Sequence, residues 1–216
     1  MTRSYAGLHV LADDDERWPQ DPVSQARAAC EGGAHVIQLR VKSATDRVAL
    51  EWANEIRELT REWGAAFVVN DRFDLALASE ADAVHLGQTD LPPDRVPPDA
   101  RKRLAVGFST HTPEQAEATR ALPLDYVAFG PVFGTTSKAS EYDLRGLAAL
   151  ERVVAIVAPR PLVAIGGIDH ENLAAVIRAG AAGAAVISAV AGATDPVAAT
   201  RQLTSAFAIP RAGGGE

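Results

Sequence analysis

Eight times along 216 residues a short apolar or β-branched run gives way to a longer segment with helical spacing, and few folds accommodate that alternation. The runs fall at 7–11, 35–40, 66–70, 83–86, 104–106, 126–130, 162–165 and 184–187. Helical patterns lie between them at 23–31, 45–63, 74–79, 113–121, 144–158, 169–179 and 195–206, and the stretch after the fourth run is Pro-rich. Thr112 before Pro113 suits an N-cap with proline in the first turn, and Asp169 offers a cap for the helix after the seventh run. Right-handed crossovers would put every helix on one side of a parallel sheet, so eight units predict an α/β protein, a single-domain (β/α)8 TIM barrel over residues 1–209. The rival is a doubly wound open sheet. It is disfavoured because the first run is not followed by a glycine-rich dinucleotide turn with an acidic residue about 20 positions on. Residues 210–216 read as a frayed tail.

Composition narrows the function classes. Acidic residues outnumber basic ones 28 to 21, for a net charge of −7, which argues against a nucleic-acid partner held by a basic surface. The sequence has neither a membrane-length apolar run nor a signal-peptide pattern at its start, so no membrane association and a cytoplasmic address are expected. The lone Cys30 cannot form an intramolecular disulfide or a Cys-based zinc site and reads as a small buried hydrophobe. The acidic run 13–16 reads as a solvated loop. Lysine is scarce: the cations comprise eighteen arginines and only Lys42, Lys102 and Lys138.

In such a barrel the site lies where strands end and the following loops begin. Gln38, Arg40 and Lys42 alternate with apolar residues at period two and would leave one face of an extended segment together. An amide, a guanidinium and an ammonium suit a polyanionic ligand with a hydrogen-bonding head, although a solvated strand end is the plainer reading. Asp71 and Asp90 end successive strands and could share a Mg²⁺ ion with waters and phosphate oxygens; alternatively each caps the helix or turn that follows. Gly166-Gly167 and the Ile187-Ser188 turn stand where barrels often bind phosphate, or the glycines serve only a tight turn. Residues 130–138 form a Gly-bearing loop with Thr135, Thr136, Ser137 and Lys138, a candidate lid. Of five histidines, only His111 beside Ser109 reads as a ligand contact or proton carrier, and His85 is expected to pack near a strand end.

Several separated signatures in order resemble the thiamine-phosphate synthase family: Gln38-Leu39-Arg40-Val41-Lys42, Val69-Asn70-Asp71-Arg72, His85-Leu86-Gly87-Gln88-Thr89-Asp90, Gly107-Phe108-Ser109-Thr110-His111, Gly130-Pro131-Val132-Phe133, Ile165-Gly166-Gly167 and Ile187-Ser188-Ala189. The resemblance implies joining of an aminopyrimidine methyl diphosphate to a thiazole phosphate, or its carboxylated form, with loss of pyrophosphate. It implies that Gln38, Arg40, Lys42, Asn70, Ser109 and Lys138 hold the pyrimidine diphosphate. Asp71 and Asp90 would hold Mg²⁺, Thr135 and Ser137 the thiazole, and Gly167, Ile187 and Ser188 its phosphate. Arg40, Lys42, Ser109 and Lys138 would be the catalytic set, with no protein nucleophile. The chain departs from the family pattern at Gly134, at Ser137 and over 139–145. The rivals are a thiazole tautomerase of the related barrel family and a non-catalytic sensor of phosphorylated ligands.

Overall fold

The computed structural model describes residues 5–134 and 145–207. Eight parallel strands close on themselves in sequence order: β1 (Gly7–Asp13), β2 (Val36–Arg40), β3 (Ala66–Asn70), β4 (Ala83–Leu86), β5 (Ala105–Thr110), β6 (Tyr126–Phe129), β7 (Leu162–Ile165) and β8 (Gly183–Val186). The ring is sealed by β1 pairing with both β2 and β8. Around it run α1 (Pro22–Glu31), α2 (Asp46–Trp63), α3 (Phe73–Ala78), α4 (Pro98–Arg101), α5 (Pro113–Ala118), α6 (Gly146–Val157), α7 (Leu173–Arg178), α8 (Ser188–Ala191) and α9 (Pro196–Ser205). No helix of the described residues is long and apolar enough to cross a membrane.

Period-two alternation sorts the strand residues into two cores. Leu8, Val10, Ile37, Leu39, Phe67, Val69, Val84, Leu86 and Val106 pack outward against the helices. Leu11, Val36, Ala66, Val68, Ala83, Tyr126, Ala128, Val163 and Ala185 fill the barrel interior. The expected Thr112 cap is made, its side chain accepting from Gln115 N–H, and Asp21 and Asp195 likewise accept from Ser24 and Ala198 N–H. Cys30 is buried in the outer core, and burial pushes its thiol up to about 12.

Three expectations need correction. The fifth strand runs on to Thr110 rather than stopping at 106, so Ser109 lies within it. Gly107 in this strand has no room for a side chain, because a Cβ there would stand 2.0 Å from the Tyr126 ring. The helix after β7 starts at Leu173, not 169. Asp169 instead accepts the Glu171 and Asn172 N–H groups in a turn, and Asn172 donates from Nδ2 to the Gly167 carbonyl. The run 13–16 is not a solvated loop as a whole, since Asp13 is the fully buried last residue of β1.

Candidate active site

The rim begins with a buried ion pair. Strand register places Asp13 directly beside Arg40, and Arg40 Nη1 meets Asp13 Oδ1 at 2.6 Å. Trp18 Nε1 donates to the other carboxylate oxygen at 3.0 Å. From α1, Gln25 fixes the Asp13 backbone twice, accepting from its N–H and donating to its carbonyl. Arg40 is thus held from one side, while its buried Nε has no partner among the described residues. A buried guanidinium N–H without an acceptor favours an anion there. Asp14 accepts the backbone N–H groups of Lys42, Ser43 and Ala44, which sets the loop after β2.

Lys42 reaches across to the end of β3, where its Nζ lies 2.5 Å from Asp71 Oδ2. Asp71 takes a left-handed backbone, φ 65°, one of the few side chains that tolerate it, and its N–H donates to the His85 carbonyl at 2.7 Å. Asp90 Oδ2 accepts from Gly87 N–H at 2.6 Å, so this carboxylate does cap its own turn. Burial alone would raise the Asp71 carboxyl, but hydrogen bonding with Lys42 and Asp90 holds it below the ordinary range. Asp90 moves the other way, raised by burial and, against the Gly87 N–H, by adjoining Asp71. Two carboxyls pressed together split in this manner, and a divalent cation between them would let both ionise. The donor set suits Mg²⁺, which takes one or two carboxylates plus waters and phosphate oxygens. Among the described residues no group of three or more His, Cys, Asp or Glu side chains could hold a metal ion.

Below this rim the barrel interior opens as a cavity of about 100 Å³, lined by Gln38, His85, Ser109, His111 and Tyr126 and, across from them, by Gly166, Gly167, Ile187 and Ser188. His85 bridges two strands: its Nδ1 is 3.0 Å from the Tyr126 hydroxyl and its Nε2 2.8 Å from Ser109 Oγ. His111 Nδ1 lies 2.7 Å from the Gly130 carbonyl. On the far wall Gly166 and Gly167 have φ of 103° and 63°. A Cβ on Gly166 would press on Pro131 Cα at 2.6 Å, and one on Gly167 on the Gly134 carbonyl oxygen at 2.2 Å. These glycines therefore serve close packing against the loop after β6 as well as the turn. The hydrogen bonds of the described residues leave the N–H groups of Gly167, Ile187 and Ser188 unused, and all three residues line the cavity.

The structure thus brings Gln38, Arg40, Lys42, Asn70, Asp71, Asp90 and Ser109 to the ends of β2–β5 and Gly167, Ile187 and Ser188 to the opposite side. Thr135, Ser137 and Lys138 lie outside the described residues, as does the tail expected over 210–216. Lys102 pairs with Asp99 on the surface, away from the cavity. Sequence reasoning missed Asp13, His85 and Tyr126. The signal was present: Asp13 continues the inward alternation of His9 and Leu11, and His85 that of Ala83.

A barrel with cations and a carboxylate pair at its strand ends, and unused backbone N–H groups along its cavity, has the make-up of the enzymes that act on phosphorylated small molecules. The comparisons give the particular case. A family model described as thiamine monophosphate synthase matches residues 8–190. The thiamine-phosphate synthase of Anaeromyxobacter dehalogenans is 50% identical over 97% of this chain and 91% of its own length. That of Moorella thermoacetica is 47% identical over 82% and 84%. A solved thiamine phosphate pyrophosphorylase from Pyrococcus furiosus superposes with a TM-score of 0.85 at 38% identity, covering 95% of this chain and 97% of that one. The chain belongs to the thiamine monophosphate synthase family and is a transferase of thiamine biosynthesis.

Proposed function

We propose that the chain joins 4-amino-2-methyl-5-(diphosphomethyl)pyrimidine to thiazole phosphate, or its carboxylated form, releasing pyrophosphate and forming thiamine phosphate. The observation that carries this reading is the polyanion site at the ends of β2–β4. What supports it is that Arg40, whose buried Nε is unpaired among the described residues, ends β2, and that Lys42 just beyond it pairs with Asp71, itself hydrogen-bonded to Asp90. Asp71 and Asp90 would hold Mg²⁺. When bound, the ion supplies positive charge that offsets the charge gathering on the leaving diphosphate.

The rest falls to the chain's own residues. Cleavage of the C–O bond sends its electron pair to pyrophosphate, and the electron-rich aminopyrimidine is left with a cationic methylene carbon. Arg40 and Lys42 meet the departing charge, and Lys138 joins them on this reading. Fixed cations lower the barrier because they are stronger partners for the separated diphosphate than for the ester. Gln38, Asn70 and Ser109 hold the pyrimidine. Thr135 and Ser137 hold the thiazole, whose phosphate sits on the Gly167, Ile187 and Ser188 N–H groups. The thiazole nitrogen lone pair then forms the new C–N bond, so no protein nucleophile is needed.

The test is incubation of the purified protein with both substrates and Mg²⁺, following pyrophosphate and thiamine phosphate. Stoichiometric appearance of both is expected. Asp71→Asn and Asp90→Asn should each lower kcat/KM by about 10²-fold or more and shift the Mg²⁺ requirement upward. Absence of thiamine phosphate at saturating substrates would overturn the synthase reading, and unchanged Mg²⁺ dependence in both variants would overturn the metal assignment.

A further inference from the structure

The reaction as written gives no role to the phenol buried at the heart of the barrel. Tyr126 is fully enclosed, stacked on Tyr5 at 5.0 Å and on His85 at 5.5 Å between ring centroids. The adjacent strand is cleared for it, since a side chain at its register partner Gly107 would run into the ring. Among the described residues its hydroxyl has one hydrogen-bond partner, His85 Nδ1 at 3.0 Å. Burial, reinforced by Tyr5 and Asp125, holds this phenol well above its ordinary range, so the O–H proton stays in place. A buried O–H with a single partner donates to it.

That direction fixes the rest of the chain. With Nδ1 accepting, His85 carries its proton on Nε2 and donates it to Ser109 Oγ at 2.8 Å. Ser109 lines the cavity beside Gln38, and with its oxygen already accepting, its own proton is the one turned to the ligand. We infer that Tyr126 is a positioning residue that acts through His85 to present Ser109 as a hydrogen-bond donor, so that this point of the pocket selects an acceptor atom on the substrate. An unprotonated ring nitrogen of an aminopyrimidine is such an atom, and keeping the ring unprotonated keeps it electron-rich when the C–O bond breaks. In this last respect the inference rests on the synthase reading.

Tyr126→Phe removes one oxygen and preserves the stacked ring. Combined with Ser109→Ala, it makes a double-mutant cycle on kcat/KM. The relay predicts a loss of about tenfold for Tyr126→Phe in the wild-type background and less than about twofold on top of Ser109→Ala. A purely structural role would produce equal losses in both backgrounds, and that result would overturn the inference. Nitrogen-15 spectra of histidine-labelled protein, with His85→Gln for assignment, read the tautomer without turnover. The relay predicts the proton on Nε2 in the wild type and a redistribution in Tyr126→Phe; a wild-type Nδ1–H form would overturn it. If the wild type were inert toward both substrates, the synthase reading would fail and the spectra would still decide the relay.

Discussion

Asp13 shows how much one side chain decides. It is fully buried, it carries no contact to solvent, and one of its oxygens orients the guanidinium proposed to meet the diphosphate. Breaking a buried pair from one side leaves an uncompensated charge and costs about 3–5 kcal/mol in the fold. Asp13→Asn keeps the volume and an acceptor for Trp18 Nε1 but removes the anion. The expected outcome is a drop in the urea midpoint together with a KM for the pyrimidine diphosphate raised about tenfold, kcat changing less, because a freed Arg40 binds anions at a larger entropic cost. Asp13→Glu should restore part of the affinity and little of the stability. Equal KM in wild type and Asp13→Asn, read from steady-state kinetics, would show that Arg40 needs no such anchor. In the sequence Asp13 was hidden by its neighbours: a run of four acidic residues looks like a solvated turn, and only the strand register sets its first member against Arg40.

At the scale of elements, the alternation of short apolar runs and amphipathic segments sufficed for the barrel because each unit meets its neighbour in the ring, so local pattern and global topology agree. A boundary was legible where a side chain caps backbone groups, as at Thr112, which accepts from Gln115 N–H. Boundaries were not legible where tertiary packing chooses the residue. β5 carries a glycine because of a tyrosine on the adjacent strand, and the start of α7 is moved by a turn that ties Asn172 to Gly167. Two substitutions separate these cases. Asp195→Ala removes one cap bond from α9 and should destabilise by about 1 kcal/mol. Gly107→Ala must displace the Tyr126 ring and should cost about 3 kcal/mol or more, with activity falling alongside. Chemical denaturation measures both, and a Gly107→Ala cost no larger than that of Asp195→Ala would mean the interior yields more than its close contacts indicate.

The whole molecule sets an interior of uncommon polarity inside an acidic exterior. The candidate site was readable as a set of strand-end polar residues because the barrel fixes where strand ends go; for the His–Tyr layer beneath it, alternation tells which strand residues face inward but not which of them meet across strands. That layer makes stability depend on pH in a definite direction. His9 is enclosed among Tyr5, Tyr126 and, more distantly, His35, with Nε2 2.8 Å from the Tyr5 carbonyl. Burial first, opposed by that hydrogen bond and aided by His35, lowers it from 6.5 to about 4. Between those values the unfolded chain binds a proton that folded His9 refuses, so stability from this group is intact above pH 6.5 and falls as the pH drops. The slope is about 1.4 kcal/mol per pH unit and ends near pH 4, below which both states are protonated. His9→Gln keeps a donor for the Tyr5 carbonyl and removes the titration. The variant should be less stable than the wild type at pH 7.5 because its packing is imperfect. The gap should then close by about 3 kcal/mol as the pH falls to 4, since only the wild type suffers this loss. Carboxylates and His35 titrate in both proteins and cancel in the difference. Urea unfolding of the pair at half-unit pH steps would show converging curves; parallel curves would mean that His9 is protonated in the fold with ease and that the barrel centre admits charge.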